Sequence, residues 1–392
     1  MSQSLFRGSG VALVTPMTPD GIDFPALERL IEWHIASGTD ALVLCATTGE
    51  GATLTYAERA EIIERSVRQV NGRVPVIVGT GSNNTASAIA LSREACAAGA
   101  DGVLVVTPYY NKATQRGLVR HFTAVADAVD RPLIVYNVPS RTGVSCTAET
   151  YAVLAQHPNI VGVKEASGNL GNIQRTRNLC PEDFSIWSGN DDEVVPICAL
   201  GGVGVISVAA NILPAEMHAL VKLCLDNDFA SAGKLQLYLK DFCDAMFCEV
   251  NPIPVKTALN LMGYHAGQLR RVDRQHGGSD AEHHGCRDDA HERIDRGTEQ
   301  PSCQLQYQHP HSQYARKSID YVRSVGSGGF GHAERAVVPD GRTAGYSGNE
   351  PVDIQYLHGS RNDRQDQLVE PVEQLHRERA EPMGGQQPQG RR

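Results

Sequence analysis

One lysine sits where a lysine is costly. The run Ile160-Val-Gly-Val leads directly into Lys164, and Glu-Ala-Ser-Gly168 follows. A buried apolar strand therefore ends abruptly on an ammonium, whose charged form desolvation disfavours. Such a side chain is a candidate amine nucleophile, able to form a Schiff base with a carbonyl substrate. The plainer alternative is a stem that packs while its head reaches water. Four more polar residues suit the same chemistry. Tyr136 can pass protons as a phenol, Thr47 and Thr48 can donate to a carboxylate, and Arg141 can grip a second carboxylate with two parallel N–H groups. Each has its own plain alternative: a core aromatic, an N-cap and turn, a solvated loop charge.

These residues belong together only if the fold gathers them, and the chain's periodicity says that it does. From Gly10 to about Leu225 one unit recurs: a short apolar run, a loop with Gly, Pro, Thr or Asn, then an amphipathic stretch. The apolar runs are Val11–Val14, Ala41–Cys45, Val74–Val78, Gly102–Val106, Leu133–Tyr136, Ile160–Val163, Phe184–Trp187 and Gly204–Val208. Near-continuous hydrophobicity of this kind suits parallel strands buried on both faces. Between them, helical spacing links Leu27, Leu30, Ile31 and His34, and again Ile62, Ile63, Val67 and Val70; Asn84 and Thr114 are capping residues. Eight strand–helix units in this length predict a TIM (β/α)₈ barrel. A doubly wound sheet is disfavoured, because no GxGxxG follows the first strand. In a barrel the site lies at the carboxyl ends of the strands, which is where Thr47, Thr48, Tyr110, Tyr136, Arg141, Lys164 and Gly189 fall. The rim is poor in fixed carboxylates and holds no His/Asp/Glu set suited to a metal. Glu50 and Glu165 read as loop-orienting groups.

The chain has 392 residues and a formal charge of −9, so neither nucleic acid nor an anionic membrane is an expected partner. Its ten cysteines form no CxxC pair, and no long apolar run is present; reduced thiols and a cytoplasmic location are expected. Residues 1–225 read as the catalytic barrel and 226–267 as a helical segment, comprising Phe229–Met246, a rigid turn at Asn251-Pro-Ile-Pro-Val-Lys256, and Thr257–Met262. Residues 268–392 change character. Only 17 of these 125 are Leu, Ile, Val or Phe, while they hold nine of the 14 histidines. That stretch reads as disordered, or as the product of a shifted reading frame. Its His276, His283, His284, Cys286 and His291 fit no standard metal spacing.

The motifs Thr47-Thr-Gly-Glu50, Gly79-Thr-Gly81, Thr107-Pro-Tyr-Tyr-Asn111, Tyr136-Asn-Val-Pro-Ser-Arg-Thr-Gly143, Val163-Lys-Glu-Ala-Ser-Gly168, Ser188-Gly189 and Asn251-Pro-Ile-Pro-Val-Lys256 together resemble the dihydrodipicolinate synthase (4-hydroxy-tetrahydrodipicolinate synthase) family of pyruvate-using aldolases. The resemblance runs from Leu5 to about Leu269. It implies a lyase of lysine and diaminopimelate biosynthesis that condenses pyruvate with L-aspartate 4-semialdehyde, with no cofactor beyond the imine on Lys164. It also implies a proton relay of Tyr136, Thr47 and Tyr110, the last contributed by a neighbouring subunit of a homodimer or homotetramer. Thr48 then meets the pyruvate carboxylate, Arg141 the aldehyde substrate's carboxylate, and Gly189 and Ile206 lay backbone against the site. In lysine-inhibited relatives an allosteric cleft uses histidines and a glutamate. Tyr56, Arg59 and Ser87 stand there instead, with Asn83 and Tyr109 retained, so feedback is expected to be weak or absent. The alternatives are an N-acetylneuraminate lyase, a 2-keto-3-deoxy sugar acid aldolase, or a barrel impaired by its altered C-terminal end.

Overall fold

Strands buried on both faces need a packed interior on one side and a layer of helices on the other. The computed structural model describes residues 4–270 and, beyond them, Ala336–Val337 and Thr343–Ala344. Eight parallel strands form a closed barrel: β1 (Gly8–Ala12), β2 (Ala41–Leu44), β3 (Val76–Gly79), β4 (Gly102–Val106), β5 (Leu133–Asn137), β6 (Ile160–Glu165), β7 (Ser185–Ser188) and β8 (Gly204–Ser207). Each pairs with the next in sequence, and β8 closes onto β1 through Gly8↔Gly204 and Ile206↔Gly10. The fold is the TIM barrel expected from the sequence.

Side chains alternate between two apolar clusters. Ala12, Val43, Ile77, Leu104, Ile134, Trp187 and Ile206 fill the interior; Val11, Leu42, Val78, Val103, Val135, Ile186 and Val205 pack outward with the helices. This is the period of two that a strand imposes. Phe6 stacks on Trp187 with ring centroids 5.1 Å apart.

The outer helices are α1 (Phe24–Ala36), α2 (Tyr56–Val70), α3 (Thr85–Ala97), α4 (Gln115–Ala126), the single turn α5 (Pro139–Thr142), α6 (Ala148–Leu154), α7 (Leu170–Leu179), α8 (Val194–Ala199) and α9 (Pro214–Leu225). Their starts follow capping chemistry. Asn84 accepts from Ala86 N and Ser87 N, Thr114 accepts from Gly117 N, and Thr55 with Glu58 forms a reciprocal capping box. Two further helices follow, α10 (Phe229–Ala245) and α11 (Ile253–Leu261).

The turn expected through Lys256 is shorter than its prolines suggest, because α11 already begins at Ile253. Proline is tolerated in a first turn, where the missing N–H has no helical partner anyway. The last residues of this stretch are bound to the barrel: Met17 bridges to Gly267, and Arg270 N donates to Glu50 Oε2 at 2.9 Å. The disorder, frame-shift and metal-spacing expectations for 268–392 fall, from residue 271 and apart from Ala336–Val337 and Thr343–Ala344, outside the described residues. By contacts the chain divides into Met1–Phe330 and Gly331–Arg392; in the second unit Ala336–Val337 pairs antiparallel with Thr343–Ala344.

Candidate active site

The position of Lys164 depends on one extra residue. Along β6, Leu133 of β5 pairs with Ile160, but Ile134 pairs with Gly162, so Val161 is a bulge. Val161 belongs to the interior cluster, and so would Val163 in unbroken alternation. The bulge inverts the phase, packing Val163 outward and turning Lys164 inward. Gly162 permits the kink: a Cβ there would lie 2.2 Å from the Ser185 carbonyl oxygen and 2.8 Å from the Trp187 ring.

Lys164 is 4 % exposed and pairs in register with Tyr136 on one side and Trp187 on the other. Its Nζ lies 4.5 Å from the centroid of the Tyr136 ring. Burial pushes the amine down to about 8; the Asp191 carboxylate opposes that shift and Arg141 reinforces it. Burial likewise pushes the Tyr136 phenol up to about 12, against the pull of Arg141 and a hydrogen bond with Thr47. At neutral pH the phenol is thus a protonated donor beside an amine that gives up its proton with unusual ease.

Thr47, Tyr136 and Arg141 line one cavity of about 560 Å³, together with Tyr109, Tyr56 and Arg59. Arg141 is exposed on the one-turn α5, which ends on Gly143 at φ 71°. Thr48 is buried, and Gly189 packs against the lysine stem, since a Cβ on it would come within 3.2 Å of Lys164 Cε. Ile206 is fully buried in the interior cluster with Tyr136. Tyr110 stands apart: it is 87 % exposed and adopts φ 71°.

Three features were not legible as site residues. Asp191 is fully buried, and its Oδ2 accepts from Val208 N at 3.1 Å and Ala209 N at 2.8 Å; burial raises its pKa against those bonds and the Lys164 charge. Asn251 donates through Nδ2 to Thr48 Oγ1 at 3.0 Å, and its carbonyl accepts from Arg141 Nη2 at 3.4 Å. The third is the bulge at Val161. The only sequence signals were polar residues at a strand end and beside two prolines, which describe turns equally well. Glu165, read as loop-orienting, accepts from Asn137, Tyr151 and the Ser167 backbone. Among the described residues, no three His, Cys, Asp or Glu side chains gather as a metal site, and no helix is long and apolar enough to cross a membrane.

A family model described as the dihydrodipicolinate synthetase family matches residues 5–272. The chain belongs to that family. Within it, the chain is similar to the 4-hydroxy-tetrahydrodipicolinate synthase of Thermoanaerobacter sp. (strain X514), 54 % identical over 267 residues that make up 68 % of this chain and 90 % of the relative. The synthase of Clostridium novyi (strain NT) is 50 % identical over the same shares. The solved dihydrodipicolinate synthase of Aquifex aeolicus superposes with a TM-score of 0.66 at 46 % identity, covering 68 % of this chain and 91 % of that one. The synthetase family is one of lyases. Its relatives' names favour the synthase over the neuraminate lyase and sugar-acid aldolase alternatives.

Proposed function

We propose that this chain condenses pyruvate with L-aspartate 4-semialdehyde as a 4-hydroxy-tetrahydrodipicolinate synthase, through an imine on Lys164. The observation that carries this reading is the buried Lys164 amine over the Tyr136 ring, a ring that also lines a cavity with Thr47 and Arg141. Neutral Lys164 attacks the pyruvate ketone, and water leaves to give an iminium. That cation is an electron sink, so the methyl group loses a proton and the resulting enamine attacks the aldehyde carbon. The new alkoxide takes a proton. The product's own amine then attacks the imine carbon, closing the ring and releasing Lys164. Tyr136 carries protons in this scheme with Thr47, and Tyr110 completes the relay of a neighbouring copy in a homodimer or homotetramer, for which its exposure suits it. Thr48 binds the pyruvate carboxylate, Arg141 binds that of the semialdehyde, and Gly189 and Ile206 shape the floor. The imine supplies the electron sink, so no metal or cofactor is proposed, and the location proposed is the cytoplasm. Residues 1–225 are proposed as the catalytic barrel, 226–267 as its helical extension, and 268–392 as an appendage to both.

The decisive experiment is borohydride reduction in the presence of pyruvate. It is expected to leave a stable adduct on the peptide containing Lys164, lost in Lys164→Ala; an unlabelled parent chain would overturn the reading. We also propose weak or absent inhibition by lysine. Tyr56, Arg59 and Ser87 supply no carboxylate to meet an ammonium, and Arg59 spends its guanidinium on the Gly51 and Gly79 carbonyls. Activity is expected to stay flat across millimolar lysine, as a saturation assay with both substrates would show.

A further inference from the structure

Asn251 touches both residues assigned to substrate carboxylates, and it does so with opposite hydrogen-bonding groups. Its side-chain N–H donates to Thr48 Oγ1, and its backbone carbonyl accepts from Arg141. Asn251 is 5 % exposed, and its own Oδ1 has no hydrogen-bond partner among the described residues. The amide N–H fixes the polarity of a single hydroxyl.

That polarity matters. A threonine hydroxyl has one proton and two lone pairs. With Asn251 occupying a lone pair, the Thr48 proton is directed elsewhere, which is what a donor to a bound carboxylate requires. The residue is held in place from behind. Five positions on, along α11, Lys256 Nζ meets Glu50 Oε1 at 2.7 Å with both side chains almost wholly buried. Glu50 closes the same loop that carries Thr47 and Thr48.

We propose that Asn251 is a positioning residue that orients the Thr48 hydroxyl toward the pyruvate carboxylate and ties that subsite to Arg141, its own place being set by the buried Lys256–Glu50 pair. This rests on the roles given above to Thr48 and Arg141. Asn251→Asp is nearly isosteric but reverses the bond: the carboxylate takes the Thr48 proton and faces an incoming anion. Asn251→Ala merely frees the hydroxyl.

The test is borohydride trapping titrated with pyruvate on the full chain, with steady-state kinetics for both substrates and a thermal melt of each variant. Asn251→Asp is expected to raise the pyruvate concentration for half-maximal labelling about tenfold or more, as loss of a bond to a charged group implies, and Asn251→Ala about threefold, in the range of one neutral hydrogen bond. Both keep the backbone carbonyl that meets Arg141, so both are expected to leave KM for the semialdehyde close to the parent's and to melt close to the parent. A ranking in which Asp is no worse than Ala overturns the proposal, because a merely structural amide would suffer more from the truncation. So does weakening that only tracks a lowered melting temperature. An unlabelled parent chain would instead overturn the catalytic reading itself, a result distinct from labelling that ignores residue 251.

Discussion

Lys164 and Tyr136 are two ionisable groups pushed in directions that divide their labour. With its pKa near 8, about a tenth of the Lys164 amine is neutral at pH 7, against roughly one part in three thousand for an ordinary lysine. Imine formation needs the neutral amine, whose fraction grows as pH rises through the pKa. The rate of pyruvate-dependent trapping is therefore expected to climb about tenfold per pH unit below 8 and to level off above it. A profile still rising steeply above pH 9 would contradict this. Tyr136→Phe keeps the ring under the amine and removes only the phenol. It is expected to lower kcat by about 10²–10³ with labelling by pyruvate still detectable, read by comparing turnover with trapped mass. Both residues were legible in the sequence, because an amine and a phenol at the ends of apolar runs stand out. Asp191 and Asn251 were not. Asp191 acts through its charge on Lys164, 27 positions away, and Asn251 through its bond to Thr48, 203 positions away; no local pattern records that.

At the level of elements, the eight strands and the helices between them declared themselves through two competing periods, and the structure follows them closely. β1 is shifted toward Gly8–Ala12 relative to the apolar run, since pairing with β8 starts at Gly8. The helix starting at Ile253 was hidden by its prolines. The bulge at Val161 was hidden more deeply. An apolar run reads the same with or without a phase change, so sequence placed Lys164 at the right strand end without saying which way it faces. Gly162 is where this shows in a measurement. Gly162→Ala forces a Cβ against the Ser185 carbonyl and the Trp187 ring, and the overpacking is expected to cost about 1–3 kcal/mol. Denaturant melts would record the loss. The labelled fraction is expected to fall further than stability alone explains, because the kink that aims the amine is the part displaced.

At the scale of the molecule, the C-terminal part of the barrel unit fastens onto its first catalytic loop. Lys256 meets Glu50, Arg270 N meets the other Glu50 oxygen, and the Arg270 guanidinium forms two 2.6 Å bonds with Glu58, the capping-box residue of α2. Lys256→Met leaves a buried carboxylate without its cation and is expected to cost about 3–5 kcal/mol. In a domain of this size that is a drop of roughly 6–20 °C in Tm. Adding Glu50→Gln is expected to restore part of the drop, since the stranded charge is removed; calorimetry on the two variants decides it. The same fastening orders events in time. A ribosome releases the loop bearing Thr47 and Thr48 early, yet its anchor, residues 251 to 270, emerges more than two hundred residues later. Strand β1 likewise waits for β8 before its second edge is covered. A nascent chain can carry nearly the whole barrel and still lack a competent rim. Activity therefore arrives late in synthesis, with the helix that brings Asn251 and Lys256 home and the arginine that locks behind it.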